Sequence, residues 1–94
     1  MSYDLKFLPL ALKEWKKLDN SIKTQFKKKL AEILINPHIS SSRLHGFENH
    51  YKIKLRSSGF RLVYEVIDNE LIVFVIVIGK REKGMVYQKL NKRR

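Results

Sequence analysis

The run Leu71 to Ile78, LIVFVIVI, sets eight apolar residues in succession, and few architectures accept such a segment. It is far too short to span a bilayer, which takes about 20 apolar residues, so it reads as the central strand of a sheet. The residues leading into it define that sheet. Tyr51, Ile53 and Leu55 alternate with Lys52, Lys54 and Arg56, and Phe60, Leu62, Tyr64 and Val66 alternate with Arg61 and Glu65. A period of two over both stretches predicts two half-buried strands. Ser57, Ser58 and Gly59 supply the turn between them, Asp68 and Asn69 supply the next, and Gly79 is expected to end the central strand.

Upstream the period is helical. Tyr3, Leu5 and Phe7 alternate with Asp4 and Lys6 as a short first strand, and Pro9 then suits the first turn of a helix. Leu8, Ala11, Leu12, Trp15 and Leu18 form an apolar stripe, with Lys13, Glu14, Lys16 and Lys17 on the other side. The cluster Asp19, Asn20, Ser21 interrupts it. A second helix carries Ile22, Phe26, Leu30, Ile33 and Leu34 on one face and ends at Asn36, because Pro37 disfavours helical geometry just before it. His38 to His50 has no period and reads as a surface connection. After the central strand, Glu82 to Leu90 forms a short helix held only weakly by Met85, Val86 and Leu90, followed by a basic tail, Lys92 to Arg94. The order strand, helix, helix, three strands, helix gives an α+β fold: a small, mostly antiparallel sheet with helices packed on one face. A chain of 94 residues is expected to form one domain, 1–94.

Charge narrows the partners. Twenty Lys and Arg stand against nine Asp and Glu, a formal charge of +11 that attracts polyanions, nucleic acid first. A hydrophobic fraction of 44% indicates a folded chain. Cysteine is absent, so neither a disulfide scaffold nor a thiolate metal site is expected. No secretory leader or membrane-spanning run is evident, which points to a cytoplasmic location and no membrane partner.

If the apolar set of the two alternating strands faces the helices, Lys52, Lys54, Arg56 and Arg61 share the opposite face. Pattern alone leaves open whether this is a solvated sheet face or a phosphate-binding one. Lys80, Arg81 and Lys83 follow the central strand, and Tyr87 comes one to two turns later, either as a packing aromatic or as a working phenol. RNA can be cleaved through its own 2′-hydroxyl by a base, an acid and cations around phosphorus, with no metal or other cofactor. His38, His45 and His50 lie in or beside the loop without metal-ligand spacing and read as surface histidines. A tyrosine is a poor base near neutral pH, but dense positive charge favours its phenolate. The lysines of the second helix, Lys23, Lys27, Lys28 and Lys29, suit either solubility or phosphate docking.

The segments YKIKLRSSGFRLVYEVID, Tyr51 to Asp68, and VIGKREKGMVY, Val77 to Tyr87, resemble the RelE family of bacterial toxins. ALKEWKKL near the start and KKKLAEIL in the second helix extend the similarity over nearly the whole chain. The resemblance implies a toxin that enters the ribosomal A site and cuts messenger RNA there, leaving a 2′,3′-cyclic phosphate. Position by position it implies Tyr87 as general base and Arg81 as acid or electrostatic support at the leaving oxygen. Lys52, Lys54 and Arg61 would stabilise the pentavalent phosphate, and Lys54 would also favour the tyrosine phenolate. Arg56, His45, Lys80 and Lys83 are expected to bind substrate, with His45 standing where close relatives carry arginine. Lys13, Lys16, Lys17, Lys23, Lys27 and Lys28 are expected to dock on the ribosome.

The implied partners are a RelB-like antitoxin, the 70S ribosome with its 16S RNA, the message, and operator DNA only indirectly through the antitoxin. A noncatalytic RNA-binding or translation-blocking protein could use the same basic face. A role as subunit of a DNA-binding repressor is a further alternative, although no helix-turn-helix is evident.

Overall fold

The computed structural model describes residues 2–80 and 85–93, without the side chains of Met85 and Tyr87. Strand β1 (Asp4–Phe7) leads into α1 (Pro9–Lys16) and α2 (Asn20–Ile35). Strands β2 (His50–Lys54), β3 (Phe60–Ile67) and β4 (Ile72–Lys80) follow, then α3 (Met85–Arg93). Pro9 occupies the start of α1, where its missing N–H has no intrahelical partner to lose. Asp19 precedes α2 with extended backbone, and Asn36 closes that helix ahead of Pro37.

The sheet order is β1-β4-β3-β2. The chain's first strand lies parallel to its last, Asp4 opposite Ile72, while the β2–β3 and β3–β4 pairs are antiparallel. Helices α1 and α2 cover one face, where Ala11, Ile22, Phe26, Leu30 and Ile33 meet Tyr51, Ile53, Leu62, Tyr64, Val73, Val75 and Ile78. Val86 and Leu90 of α3 cover the other face, against Leu44, Val63, Ile76 and Val77. The helices therefore lie on both faces, whereas a period count fixes only that each has an apolar stripe.

Two layers explain the unbroken apolar run, because a strand buried on both sides needs no polar alternation. A bulge adds to this. Val63 pairs with Val77 but Tyr64 pairs with Val75, so Ile76 is skipped by the ladder. Ile76 and Val77 consequently join the same cluster, and the strand's inside and outside exchange at that point.

Three boundaries differ from the sequence reading. Leu71 caps the turn after β3 in a left-handed conformation, φ 55°, so the strand starts at Ile72. Gly79 does not end β4, which runs to Lys80. The basic tail is largely helix, since α3 includes Lys92 and Arg93. Nor is α3 weakly anchored: Val86 and Leu90 are 3% and 0% exposed, and burying a Val or Leu side chain contributes about 1.5–3 kcal/mol each.

Candidate active site

The strand register gathers the cations predicted to act together. Lys54 faces Arg61 across the β2–β3 pair, and Arg61 faces Gly79 across β3–β4. Lys52 faces Val63, which faces Val77, so the next row is apolar beneath the neighbouring lysine. Like charges directly opposite each other disfavour strand pairing. A fold that retains Lys54 against Arg61 breaks a local rule, and such breaks concentrate at working sites.

Helix α3 begins beside this row because Gly79 lets it. A Cβ built on Gly79 would meet the Val86 side chain at 3.3 Å, tighter than an unstrained contact. The first turn of α3, whose backbone includes Tyr87, is thus seated over the strand position next to Arg61. The Tyr87 side chain, Arg81 and Lys83 lie outside the described residues.

Arg56 is not on the flat of the sheet: it occupies the turn after Leu55, closed by the Gly59 N–H donating to the Leu55 carbonyl at 2.9 Å. From there it lines a groove of about 480 Å³ with Lys52, Lys54, Lys29, Ser41 and Ser42, where Glu32 is the one acidic side chain among four basic ones. Lys54, Arg56 and Arg61 also line the adjoining concavity around Gly59 and Phe60. Lys29 is the one α2 lysine to which the sequence reading gives no ribosome-docking role. Its place in the groove comes from the packing of α2 across β2, which no local pattern encodes.

Lys80 is not brought to this face. It pairs with Phe60 and its ammonium sits 5.5 Å from the Phe60 ring centre, while Phe60 packs against the core under the helical hairpin. His45 is exposed in a separate concavity with Arg43, Gly46 and Phe47. Lys13 and Lys16 on α1, Lys17 just after it, and Lys27 and Lys28 on α2 are exposed, and Lys23 is half-buried.

Of the other two histidines, His50 is buried and His38 is exposed but bonded on both ring nitrogens. His50 is 4% exposed and its Nδ1–H donates to the Glu48 carbonyl at 2.7 Å. His38 links Tyr51 to Asp68, with Nδ1 2.9 Å from the Tyr51 hydroxyl and Nε2 2.7 Å from the carboxylate. Tyr3 donates to the same carboxylate oxygen at 2.7 Å. Hydrogen bonds from Tyr3 and then His38 hold the Asp68 carboxyl below its ordinary range. Burial first, and the neighbouring Tyr51 second, push the Tyr64 phenol well above its ordinary value. That phenol donates to the Pro37 carbonyl at 3.0 Å and is no candidate base. This cluster ties the chain after α2 to the sheet at the end away from Lys54. Among the described residues no three His, Cys, Asp or Glu side chains come together to hold a metal ion.

The family model for the ParE toxin of the type II toxin-antitoxin system, parDE, matches residues 5–85. The mRNA interferase toxin RelE of Escherichia coli K12 is 54% identical over 93 residues, covering 99% of this chain and 98% of that protein. The chain belongs to the RelE/ParE family of toxins. Solved structures agree with this at the level of the whole fold. A doubly arginine-to-alanine-substituted E. coli RelE in the free state superposes with a TM-score of 0.91 at 53% identity, covering 99% of this chain and 98% of that one. The same variant in complex with a RelB antitoxin peptide gives 0.84 at 52% identity, covering 100% and 99%. The cation row of this family member therefore stands on a β-α-α-β-β-β-α frame shared over nearly its full length.

Proposed function

We propose that this chain is an endoribonuclease toxin that cuts messenger RNA in the ribosomal A site by attack of the 2′-hydroxyl on the adjacent phosphate. The observation that carries the reading is the cross-strand pair Lys54–Arg61, with Lys52 beside it and the first turn of α3 against Gly79. Cations held on a rigid sheet stabilise the charge that builds on phosphorus, where side chains on a mobile loop would lose part of the effect to reorganisation. Lys52, Lys54 and Arg61 take that role, Tyr87 removes the 2′-hydroxyl proton, and Arg81 supports the leaving oxygen. Arg56 and Lys29 extend the positive groove along which the message runs.

The 1–94 chain acts as one toxin domain in the cytoplasm, and no described helix is long and apolar enough to cross a membrane. Its neutralising partner is a RelB-like antitoxin whose acidic or amphipathic segment meets a chain of charge +11. Its docking partner is ribosomal RNA. Tyrosine and arginine are intrinsically weak as base and acid, so the rate depends on alignment that an open sheet cannot impose by itself.

The test compares single-turnover cleavage of one RNA, free and in a programmed A site, at matched salt and saturating protein. Fast cleavage only on the ribosome, with a 2′,3′-cyclic phosphate at the new end, is the expected result. Equal rates on free and bound RNA defeat the ribosome-dependent reading, and tight binding without cleavage replaces the nuclease by a translation blocker.

A further inference from the structure

Beyond the basic face, a carboxylate on the first helix is bonded through both of its oxygens. Glu14 is only 18% exposed, and each of its oxygens is engaged. Oε1 accepts from the Ile78 N–H at 3.1 Å and from Arg93 Nη1 at 2.9 Å. Oε2 accepts from Lys89 Nζ at 3.1 Å and from Arg93 Nη2 at 3.3 Å. Arg93 Nη1 also donates to the Ile76 carbonyl at 2.8 Å. The sequence periodicity alone puts Glu14 on the solvent side of α1.

The reason for this convergence is the sheet edge. β1 stops at Phe7, opposite Val75, and leaves the outer side of β4 without a strand beyond that point. Main-chain groups there still need partners. Glu14 takes the amide of Ile78 and Arg93 takes the carbonyl of Ile76, so two side chains continue the edge where the ladder ends.

The same pair fixes α3. Val86 and Leu90 lie four residues apart on one apolar stripe, and Lys89 and Arg93 form a basic stripe beside it with the same spacing. Two apolar side chains hold a short helix against a sheet without defining its rotation or its slide, since dispersion and burial are non-directional. A two-pronged guanidinium–carboxylate pair is directional. We propose that Glu14 and Arg93 are positioning residues for cleavage: their latch sets the rotation and register of α3, and so keeps the turn bearing Tyr87 seated at Gly79. This rests on the nuclease reading, in which Tyr87 acts on the message.

The absence of cysteine permits a direct test. A spin label on Gln88→Cys, an exposed site one residue beyond Tyr87, reports the mobility of α3. It is compared in the parent chain and in Glu14→Gln, Arg93→Gln and the double variant, alongside single-turnover cleavage and ribosome affinity. We expect a larger mobile fraction in each single variant and cleavage slower by about tenfold, the scale of a modest misalignment, with ribosome affinity changed by less than about twofold. The double variant should be no slower than either single one, as for two halves of one interaction.

Unchanged label mobility, or multiplying losses in the double variant, overturns the latch. Should Glu14→Gln fail to fold, Arg93→Gln decides, because it leaves α1 and its core packing intact. If the parent cuts nothing on ribosomes, the nuclease reading falls, and label mobility still shows whether the latch holds α3.

Discussion

At the scale of single residues, the site depends as much on a missing side chain as on charged ones. Gly79 lies between Arg61 and the first turn of α3, and a methyl group there meets Val86 at 3.3 Å. Gly79→Ala should therefore lift that turn and slow single-turnover cleavage by about tenfold. Adding Val86→Ala should recover part of the deficit, which the same assay on the double variant checks. The residues to which the proposed mechanism gives direct chemical roles should have larger effects. Tyr87→Phe and Arg81→Ala should each lower the rate by at least about a hundredfold, the contribution of a positioned base or acid. Ribosome affinity measured in parallel should barely move for Tyr87→Phe, and an equal fall in affinity would assign the tyrosine to docking.

At the scale of elements, the strands and α2 are legible in the sequence because their causes are local. Alternation marks β2 and β3, and Pro37 marks the end of α2. What is not legible depends on distant partners. The stripe Val86–Leu90 says that α3 is buried but not on which face, and nothing near Glu14 announces Arg93, 79 positions away. The bulge that skips Ile76 leaves no mark in an all-apolar run. The cation row is legible as alternation, whereas the groove contribution of Lys29 is not. The Glu14 latch also has a signature in pH. Burial pushes the Glu14 carboxyl up, but hydrogen bonds from Arg93, the Ile78 amide and Lys89 outweigh it and hold the carboxyl below its ordinary range. A depressed folded value gives stability that is complete above the ordinary carboxylate value, about 4.3, and is lost as pH falls through the folded one. The acid limb of thermal stability should accordingly be shallower in Glu14→Gln than in the parent, as calorimetry across that range would show.

At the scale of the molecule, the positive charge falls in two places, which the proposed function uses for two tasks. Lys52, Lys54, Arg56 and Arg61 gather along one end of β2 and β3, while Lys13, Lys16, Lys17, Lys27 and Lys28 are spread over α1, the position just after it, and α2. Helix lysines that grip ribosomal phosphates release counterions on binding, so affinity falls steeply with salt. Replacing Lys27 and Lys28 by glutamine should flatten the plot of log affinity against log salt by roughly 0.7–0.9 for each phosphate no longer gripped; an unchanged slope removes those residues from docking. The parallel pairing of β1 with β4 also dictates an order of manufacture. A ribosome delivers Asp4 some seventy residues before Ile72, which at about 5–20 residues per second is a wait of several seconds. Through that interval the first strand has no neighbour to pair with, and Arg61 faces no Gly79. The nuclease is assembled only by its last quarter, so the ribosome that makes it is not exposed to a working copy until the final strand and helix have emerged.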